Sequence, residues 1–171
     1  MSNFKIGLLC ILLFSGFTEK RAKTGWISFD EAARLSRTER RPILIDLYTD
    51  WCGWCKQMDK KTYSNMHVAD YLQKKFYAIR LNAETRENIQ WKEHLYKYNS
   101  RYGVNELSLL LSGGKLSFPT SIIIPAGSMD PIAIPGYLEP KDFEALLTYF
   151  GDGSSEKIGF EEYEKNFKSS W

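Results

Sequence analysis

The sequence predicts an α/β protein with a central β-sheet flanked by helices. Two observations support this fold class: apolar, β-branched runs alternate with stretches of helical spacing, and one run, Ile43–Tyr48, is apolar at both parities. A strand that is apolar on both faces is typical of the interior of a sheet covered by helices. Strands that alternate with helices favour one α/β domain over an all-helical or an all-β fold.

The predicted elements follow from local signals. Ser28 and Glu31 form a capping box that opens a helix, and Asn65 caps another. Pro140 lies in the first turn of a later helix that Gly151 ends. In chain order we expect a helix over 29–37, a strand over 43–48, a helix from the cysteine pair to about 61, a helix after 65, a strand over 76–81, strands over 120–124 and 132–134, and a helix over 140–150.

Three segments lie outside this core pattern. Residues 85–117 are long for a link between two strands, so we expect an insertion there with a helix over about Arg86–Asn99 and with His94 on its surface. Residues 152–171 form a polar linker followed by an amphipathic tail helix, because Phe160, Tyr163 and Phe167 recur at helical spacing. The body then covers residues 25–151.

Composition excludes several classes of protein. The 171 residues support one domain, and a hydrophobic content of 43% is too high for a disordered chain. A net charge of +2 argues against a nucleic-acid partner. The basic segment Arg37–Arg41 (RTERR) contains an acid and is interpreted as a solvated face. Three cysteines are too few for a disulfide framework.

The N-terminal residues predict export. Ile6–Phe17 is almost wholly apolar and follows Lys5, which suits a secretory signal and is shorter than the roughly twenty residues of a spanning helix. The cleavage site is poor, so residues 1–18 are interpreted as a signal peptide or an uncleaved membrane anchor. Lipidation at Cys10 and a buried N-terminal helix are the weaker alternatives. We expect contact with a membrane through this segment alone.

The segment that carries chemistry is the run from Asp46 to Lys56, which contains Cys52-Gly53-Trp54-Cys55. A cysteine at the start of a helix meets unpaired N–H groups and the positive end of the dipole, which favour its thiolate. Cys52 is therefore the expected nucleophile. Cys55, one turn further on, is less exposed and can close back on Cys52 to release a partner held as a mixed disulfide.

Other residues extend this candidate site. Asp46 is the single acid in a buried strand, so its pKa should be raised and it could exchange protons with Cys55. Trp51 and Trp54 flank Cys52 as an apolar platform, and Gly53 lets a partner backbone approach. Phe118, Pro119 and Thr120 precede the next strand, where a cis proline would present backbone to an extended substrate.

These residues resemble the thioredoxin family over about 42–150. The match consists of Asp46 six positions before the first cysteine, the W-C-x-x-C-K run and the x-Pro-Thr segment at Pro119. The resemblance implies a thioredoxin fold with a central mixed sheet, similar to exported bacterial thioredoxin-like proteins. Trp54 replaces the proline common between the cysteines, Phe118 is bulky for its position, and Arg80 stands where a lysine is frequent. An arginine that reached Asp46 would favour its charged form.

The predicted function is thiol–disulfide exchange with extracytoplasmic proteins, with Cys52, Cys55 and Asp46 as catalytic residues. No bound cofactor or metal is expected, and the partners are protein disulfides or dithiols and a membrane thiol electron donor. The direction is open, with a reductant favoured. A soft-metal protein that holds Cu(I) on the two thiolates and a redox-silent interaction module are the alternatives.

Overall fold

The computed structural model of this chain describes residues 23–171. The predicted leader, residues 1–18, and Cys10 within it lie outside the described residues. The described chain contains six α-helices and eight strands. In order they are α1 (Phe29–Leu35), β1 (Ile43–Tyr48), α2 (Gly53–Met58), α3 (Met66–Lys75), β2 (Tyr77–Asn82), β3 (Ile89–Trp91), β4 (His94–Tyr96), β5 (Tyr98–Asn99), β6 (Val104–Asn105), α4 (Glu106–Leu111), β7 (Thr120–Ile124), β8 (Ile132–Pro135), α5 (Pro140–Gly151) and α6 (Phe160–Asn166).

The central sheet has four strands in the order β2-β1-β7-β8. β1 and β2 are parallel, while β7 is antiparallel to both of its neighbours, β1 and β8, so the predicted mixed sheet is confirmed. The register places Asp46 of β1 between Arg80 of β2 and Ser121 of β7. The sheet itself thus brings together three polar side chains that are far apart in sequence.

Helices cover both faces of the sheet, which explains why β1 is apolar at both parities. Ile45 and Leu47 of β1 belong to a core with α1 and α4. Leu44 points to the opposite core, which α2, α3 and α5 supply. Asp46 has the same parity as Leu44 and therefore faces the layer that contains α2.

The helix starts agree with their capping signals. The Ser28 hydroxyl accepts a hydrogen bond from the Glu31 N–H at 3.1 Å, and the Asn65 side chain accepts from two N–H groups at the start of α3. α1 ends at Leu35, two residues before the predicted end. α2 continues into a five-residue π-helical turn, Asp59–Tyr63, so the helical stretch after the cysteines reaches about as far as expected.

The predicted tail helix is present as α6. The rings of Phe160 and Tyr163 each lie 5.2 Å from the ring of Tyr149 on α5, which seats the helix on the body. Beyond α6, the buried carboxylate of Glu144 accepts hydrogen bonds from residues 169–171. The tail is therefore held by aromatic packing and by a set of hydrogen bonds to one acid.

The predicted helix over Arg86–Asn99 is wrong. The segment instead forms the antiparallel pair β3–β4, followed by the short pair β5–β6, and helix α4 comes only at Glu106. The charged residues of this segment have high helix propensity, and they obscure a short period-2 pattern of apolar residues. In the structure Trp91 turns inward and its ring packs 5.2 Å from that of Phe29. His94, expected on a helix surface, is an exposed residue of β4.

Among residues 23–171, no helix combines the length and the apolar character needed to cross a membrane.

Candidate active site

The two cysteines lie where β1 gives way to α2. Cys52 caps the N-terminus of α2, and its Sγ accepts a hydrogen bond from the Cys55 N–H at 3.0 Å. Cys52 and Cys55 form a disulfide with an S–S distance of 2.04 Å and a Cα–Cα distance of 5.3 Å. The helix start thus supplies an N–H donor to the sulfur of Cys52, the arrangement that stabilises a thiolate after reduction.

Both cysteines are buried in this oxidised form. Cys52 is 4% exposed and Cys55 is 3% exposed, so exposure does not separate the expected nucleophile from the expected resolving residue. The difference between them is their position on the helix, because the sulfur at the cap is the one that meets a free N–H group.

Exposed aromatic residues surround the disulfide. Trp51 and Trp54 are 66% and 65% exposed. The indole N–H of Trp51 donates to Glu84 at 2.9 Å, and its ring meets Phe118 edge-on at 5.8 Å. The Trp54 ring lies 5.5 Å from Tyr137. Each tryptophan therefore has a fixed neighbour and still leaves most of its surface to solvent.

The Phe118–Pro119 peptide bond is cis, as expected. The Phe118 ring contacts the ring of Trp51, the residue before Cys52. The Pro119 carbonyl oxygen accepts a hydrogen bond from the Gly136 N–H at 2.8 Å. Thr120 is 1% exposed and its hydroxyl donates to the Ser117 carbonyl at 2.7 Å, so its side chain is turned into the protein.

Gly53 is the first residue of α2 and is exposed. A Cβ atom built on it would meet no other atom within 4 Å, and its φ is not positive. Nothing in the described fold therefore requires glycine at this position.

Asp46 is 2% exposed and is held in a cluster of ionised groups. The Arg80 Nε donates to its Oδ2 at 3.1 Å, and another Arg80 nitrogen donates to Asp59 at 2.9 Å. The guanidinium also lies 4.3 Å from the centre of the Tyr48 ring. Arg80 thus bridges a buried carboxylate and a more exposed one.

Burial raises the pKa of Asp46 to about 6, while Arg80 opposes the rise and Asp59 adds to it. Burial lowers the pKa of Arg80, but the charges of Asp46 and Asp59 outweigh this effect and the net change is upward. The expectation that an arginine here would hold Asp46 in its charged form is thus met only in part, because desolvation is the larger effect.

Sequence reasoning found Asp46 and Arg80 but missed Asp59, Tyr63 and Ser121. The Tyr63 and Ser121 hydroxyls are buried, and the Tyr63 hydroxyl opposes the rise in the pKa of Asp46. Burial raises the pKa of Tyr63 well above its usual value. Ser121 pairs with Asp46 across the sheet, and its polar side chain inside the apolar run of β7 was the one available signal.

No group of three or more His, Cys, Asp or Glu side chains within residues 23–171 is arranged to hold a metal ion.

Taken together, the mixed four-stranded sheet, the disulfide at the start of α2 and the cis proline before β7 define the class: a thioredoxin-fold protein with a Cys-x-x-Cys disulfide.

Comparison with known proteins agrees with this class. Residues 25–104, a little under half of the chain, match the family described as Thioredoxin-like.

Sequence relatives include thiol:disulfide interchange proteins named DsbD. The chain is 26% identical to that of Ralstonia nicotianae over 119 residues, which cover 69% of this chain and 17% of the relative. It is 31% identical to that of Pseudoalteromonas atlantica over 67 residues, which cover 39% of this chain and 11% of the relative. The matched region is thus a small part of these longer proteins.

Solved structures share the fold at low identity. A thioredoxin-fold protein from Helicobacter pylori superposes with a TM-score of 0.59 at 18% identity, covering 74% of this chain and 83% of that one. DsbH oxidoreductase gives a TM-score of 0.54 at 15% identity, covering 88% of this chain and 95% of that one.

Proposed function

We propose that this protein is a thiol–disulfide oxidoreductase that exchanges disulfides with protein partners through Cys52 and Cys55. The observation that carries the proposal is the position of the disulfide, at the start of α2 and on the sheet face that holds the buried carboxyl of Asp46. An electrophilic disulfide and a nearby group able to bind a proton are what exchange chemistry needs.

In the reducing direction the reaction has two steps. The Cys52 thiolate attacks one sulfur of a partner disulfide, forms a mixed disulfide and releases the partner's other sulfur as a thiolate. Cys55 then loses its proton, attacks the Cys52 sulfur and expels the remaining partner thiolate. Two electrons pass from the dithiol to the partner, and Cys52–Cys55 becomes the disulfide present in this structure. No bound cofactor takes part.

Asp46 is the proposed proton acceptor for Cys55. A carboxyl group with a pKa of about 6 is mostly ionised at pH 7 and can still hold a proton during the reaction. The bridge from Arg80 to Asp59 leads from this buried carboxyl to one whose side chain is 38% exposed. The same residues would return a proton when the reaction runs in reverse.

The aromatic rim is the proposed docking surface for the partner chain. Trp51 and Trp54, which precede Cys52 and Cys55 in sequence, are both largely exposed, and a side chain at Gly53 would meet open space. Phe118 packs against Trp51 and is followed by the cis bond to Pro119. Thr120 supports this segment from inside, since its own side chain is buried.

A reductant outside the cytoplasm fits the sequence best. The apolar N-terminal run suits export or anchoring, and the W-C-G-x-C-K form resembles reducing members of the family. An exported reductant needs a supply of electrons, for which a membrane thiol protein is the proposed donor. The similarity to DsbD proteins, named for thiol:disulfide interchange, supports a partner of this chemistry.

The test is reduction of insulin disulfides by dithiothreitol in the presence of the purified full chain. We expect catalysis by the wild type, none by Cys52→Ser, and covalent mixed disulfides with the substrate in Cys55→Ala. Cys10→Ser is the matched control, because it removes the cysteine outside the pair and should keep full activity. Equal turnover by the wild type and Cys52→Ser would refute the proposal.

Two other results would favour the alternatives. Stoichiometric tight binding of Cu(I) with negligible exchange would support a metal-handling protein. Failure of the two cysteines to oxidise and reduce reversibly would support a redox-silent module.

A further inference from the structure

A concave site lies at the end of the sheet opposite the cysteine pair. It is a cleft of about 480 Å³ between the last turn of α1, the turn after β7 and the loop of the β3–β4 hairpin. Ile43, the first residue of β1, and Ile124, the last of β7, contribute to its wall. Its volume falls within the range of about 300–1,000 Å³ typical of small-molecule pockets.

Positive charge predominates around this cleft. Arg37, Arg40 and Lys92 line it, and none of them forms an ion pair with a carboxylate among residues 23–171. Glu93 is the single acid in the lining. Arg41 also lines the cleft, but its guanidinium is engaged by Glu39 at 2.9 Å and so is not counted as available. Three cations therefore face one acid.

Lys92 lacks a strong partner for its ammonium group. Its Nζ lies 3.3 Å from the Met129 sulfur, which is a weak acceptor. Burial lowers the pKa of Lys92, and Asp130 opposes this effect. The residue also has a φ of +57°, in the left-handed region that non-glycine residues seldom occupy. The hairpin loop thus holds a partly desolvated cation at the edge of the cleft.

The interior of the cleft combines apolar surface with an unused polar group. Pro125 and the exposed Met129 supply the accessible apolar surface, and Trp91, 4% exposed, lies in the wall beside the two isoleucines. The Ser36 hydroxyl is buried, lines the cleft and makes no hydrogen bond within the described chain. Buried hydroxyls in proteins are nearly always hydrogen-bonded, so the unpartnered Ser36 hydroxyl is an unusual feature of the cleft wall.

The C-terminal end of α1 opposes this positive field only in part. The carbonyl oxygens of Ala32, Arg34 and Leu35 accept backbone N–H groups from the residues that follow the helix, whereas that of Ala33, which lines the cleft, accepts none from them.

We propose that this cleft binds a small organic anion, a carboxylate or phosphate monoester that carries an aromatic or branched apolar group. The head group pairs with the guanidinium groups of Arg37 and Arg40, whose planar forks match both carboxylate and phosphate oxygens, and with the Lys92 ammonium. The apolar group lies against Pro125 and Met129, close to the wall that contains Trp91. The site is separate from the disulfide and does not depend on the proposed redox activity.

The experiment is an NMR titration of the ¹⁵N-labelled full chain with phenyl phosphate and, separately, with benzoate. The signals observed are the Trp91 indole N–H and the Gly127 amide, both in the cleft lining. We expect saturable shifts of both signals with at least one of the two anions, which also identifies the head group. Benzyl alcohol and inorganic phosphate, which each lack one half of the ligand, should bind at least tenfold more weakly.

The double variant Arg37→Gln/Arg40→Gln should weaken binding at least tenfold, the scale expected for losing charge-assisted hydrogen bonds. Arg34→Gln/Lys74→Gln removes the same charge from exposed positions outside the cleft and should change binding less than twofold. All four positions are exposed, so neither variant should disturb folding. Absence of shifts at Trp91 and Gly127 with both anions, equal weakening by the two variants, or equal affinity for inorganic phosphate would each overturn the proposal.

Discussion

Replacing Asp46 by Asn tests the electrostatic account of the candidate active site. Asn has nearly the same shape and keeps an oxygen that can accept the hydrogen bond now made from Arg80 at 3.1 Å. The substitution removes only the buried negative charge and the proton that it binds. We therefore expect a folded variant whose stability responds differently to pH.

The size of the effect follows from the raised pKa of Asp46. The change from the ordinary 3.8 to about 6 corresponds to about 3 kcal/mol, at about 1.4 kcal/mol for each pH unit. Between about pH 4 and pH 6 the folded protein keeps a proton on Asp46 that the unfolded chain has released, so stability falls as the pH rises through this window. Asp46→Asn has no carboxyl group at this position, so it does not lose this stability as the pH rises. Relative to the wild type, it should gain about 2 kcal/mol from pH 4 to pH 7.5, because at pH 4 the carboxyl of the unfolded chain is already partly protonated.

The assay is urea denaturation of the oxidised wild type and Asp46→Asn at several pH values between 4.0 and 7.5. Asp70→Asn is the control, since Asp70 is an exposed partner of Lys74 on α3 and its variant should show no comparable gain. A difference between Asp46→Asn and the wild type that stays flat with pH would refute the reasoning. A variant that became relatively less stable as the pH rose would show that the ion pair with Arg80 outweighs burial.

Three further predictions concern the rim and the tail. Gly53→Ala should fold with unchanged or slightly higher stability because its Cβ meets open space, but it should slow reduction of insulin more than reduction of glutathione disulfide. Trp51→Phe loses the 2.9 Å hydrogen bond to Glu84 and should cost less than about 1 kcal/mol by thermal unfolding, since the bond is exposed. Glu144→Gln should destabilise the protein by about 2 kcal/mol and speed trypsin cleavage near residues 169–171, which the carboxylate now holds; an unchanged cleavage rate would contradict this role.

The sequence predicts the central sheet well because burial on both faces leaves a clear signal. Ile43–Tyr48 is apolar at both parities, and the structure places it between two helical layers. The insertion was predicted wrongly because its strands are only two or three residues long and the loops between them are rich in charged residues. Over so few positions the period-2 pattern is weak, and pairing with a neighbouring strand decides the conformation.

For the candidate active site, too, the sequence reveals only the residues that stand out from their neighbours. The sequence reveals Cys52 and Cys55 because they form a pair at the start of a predicted helix. It reveals Asp46 because this residue is the single acid in an apolar strand. Asp59 could not be predicted as a site residue, because it is one polar residue among many in a polar helical stretch. Only the fold brings it to the far side of Arg80, 21 positions away in sequence.

The most direct test of the central claim is the equilibrium of the Cys52–Cys55 pair with glutathione. The purified protein is incubated in buffers of graded ratios of reduced to oxidised glutathione, and the fraction of dithiol is measured after acid quenching and thiol alkylation. An exchange-active reductant should equilibrate reversibly with a reduction potential near about −270 mV, and a value near about −120 mV would reverse the proposed direction. A pair that fails to equilibrate, or that stays oxidised below about −300 mV as structural disulfides do, would contradict the account.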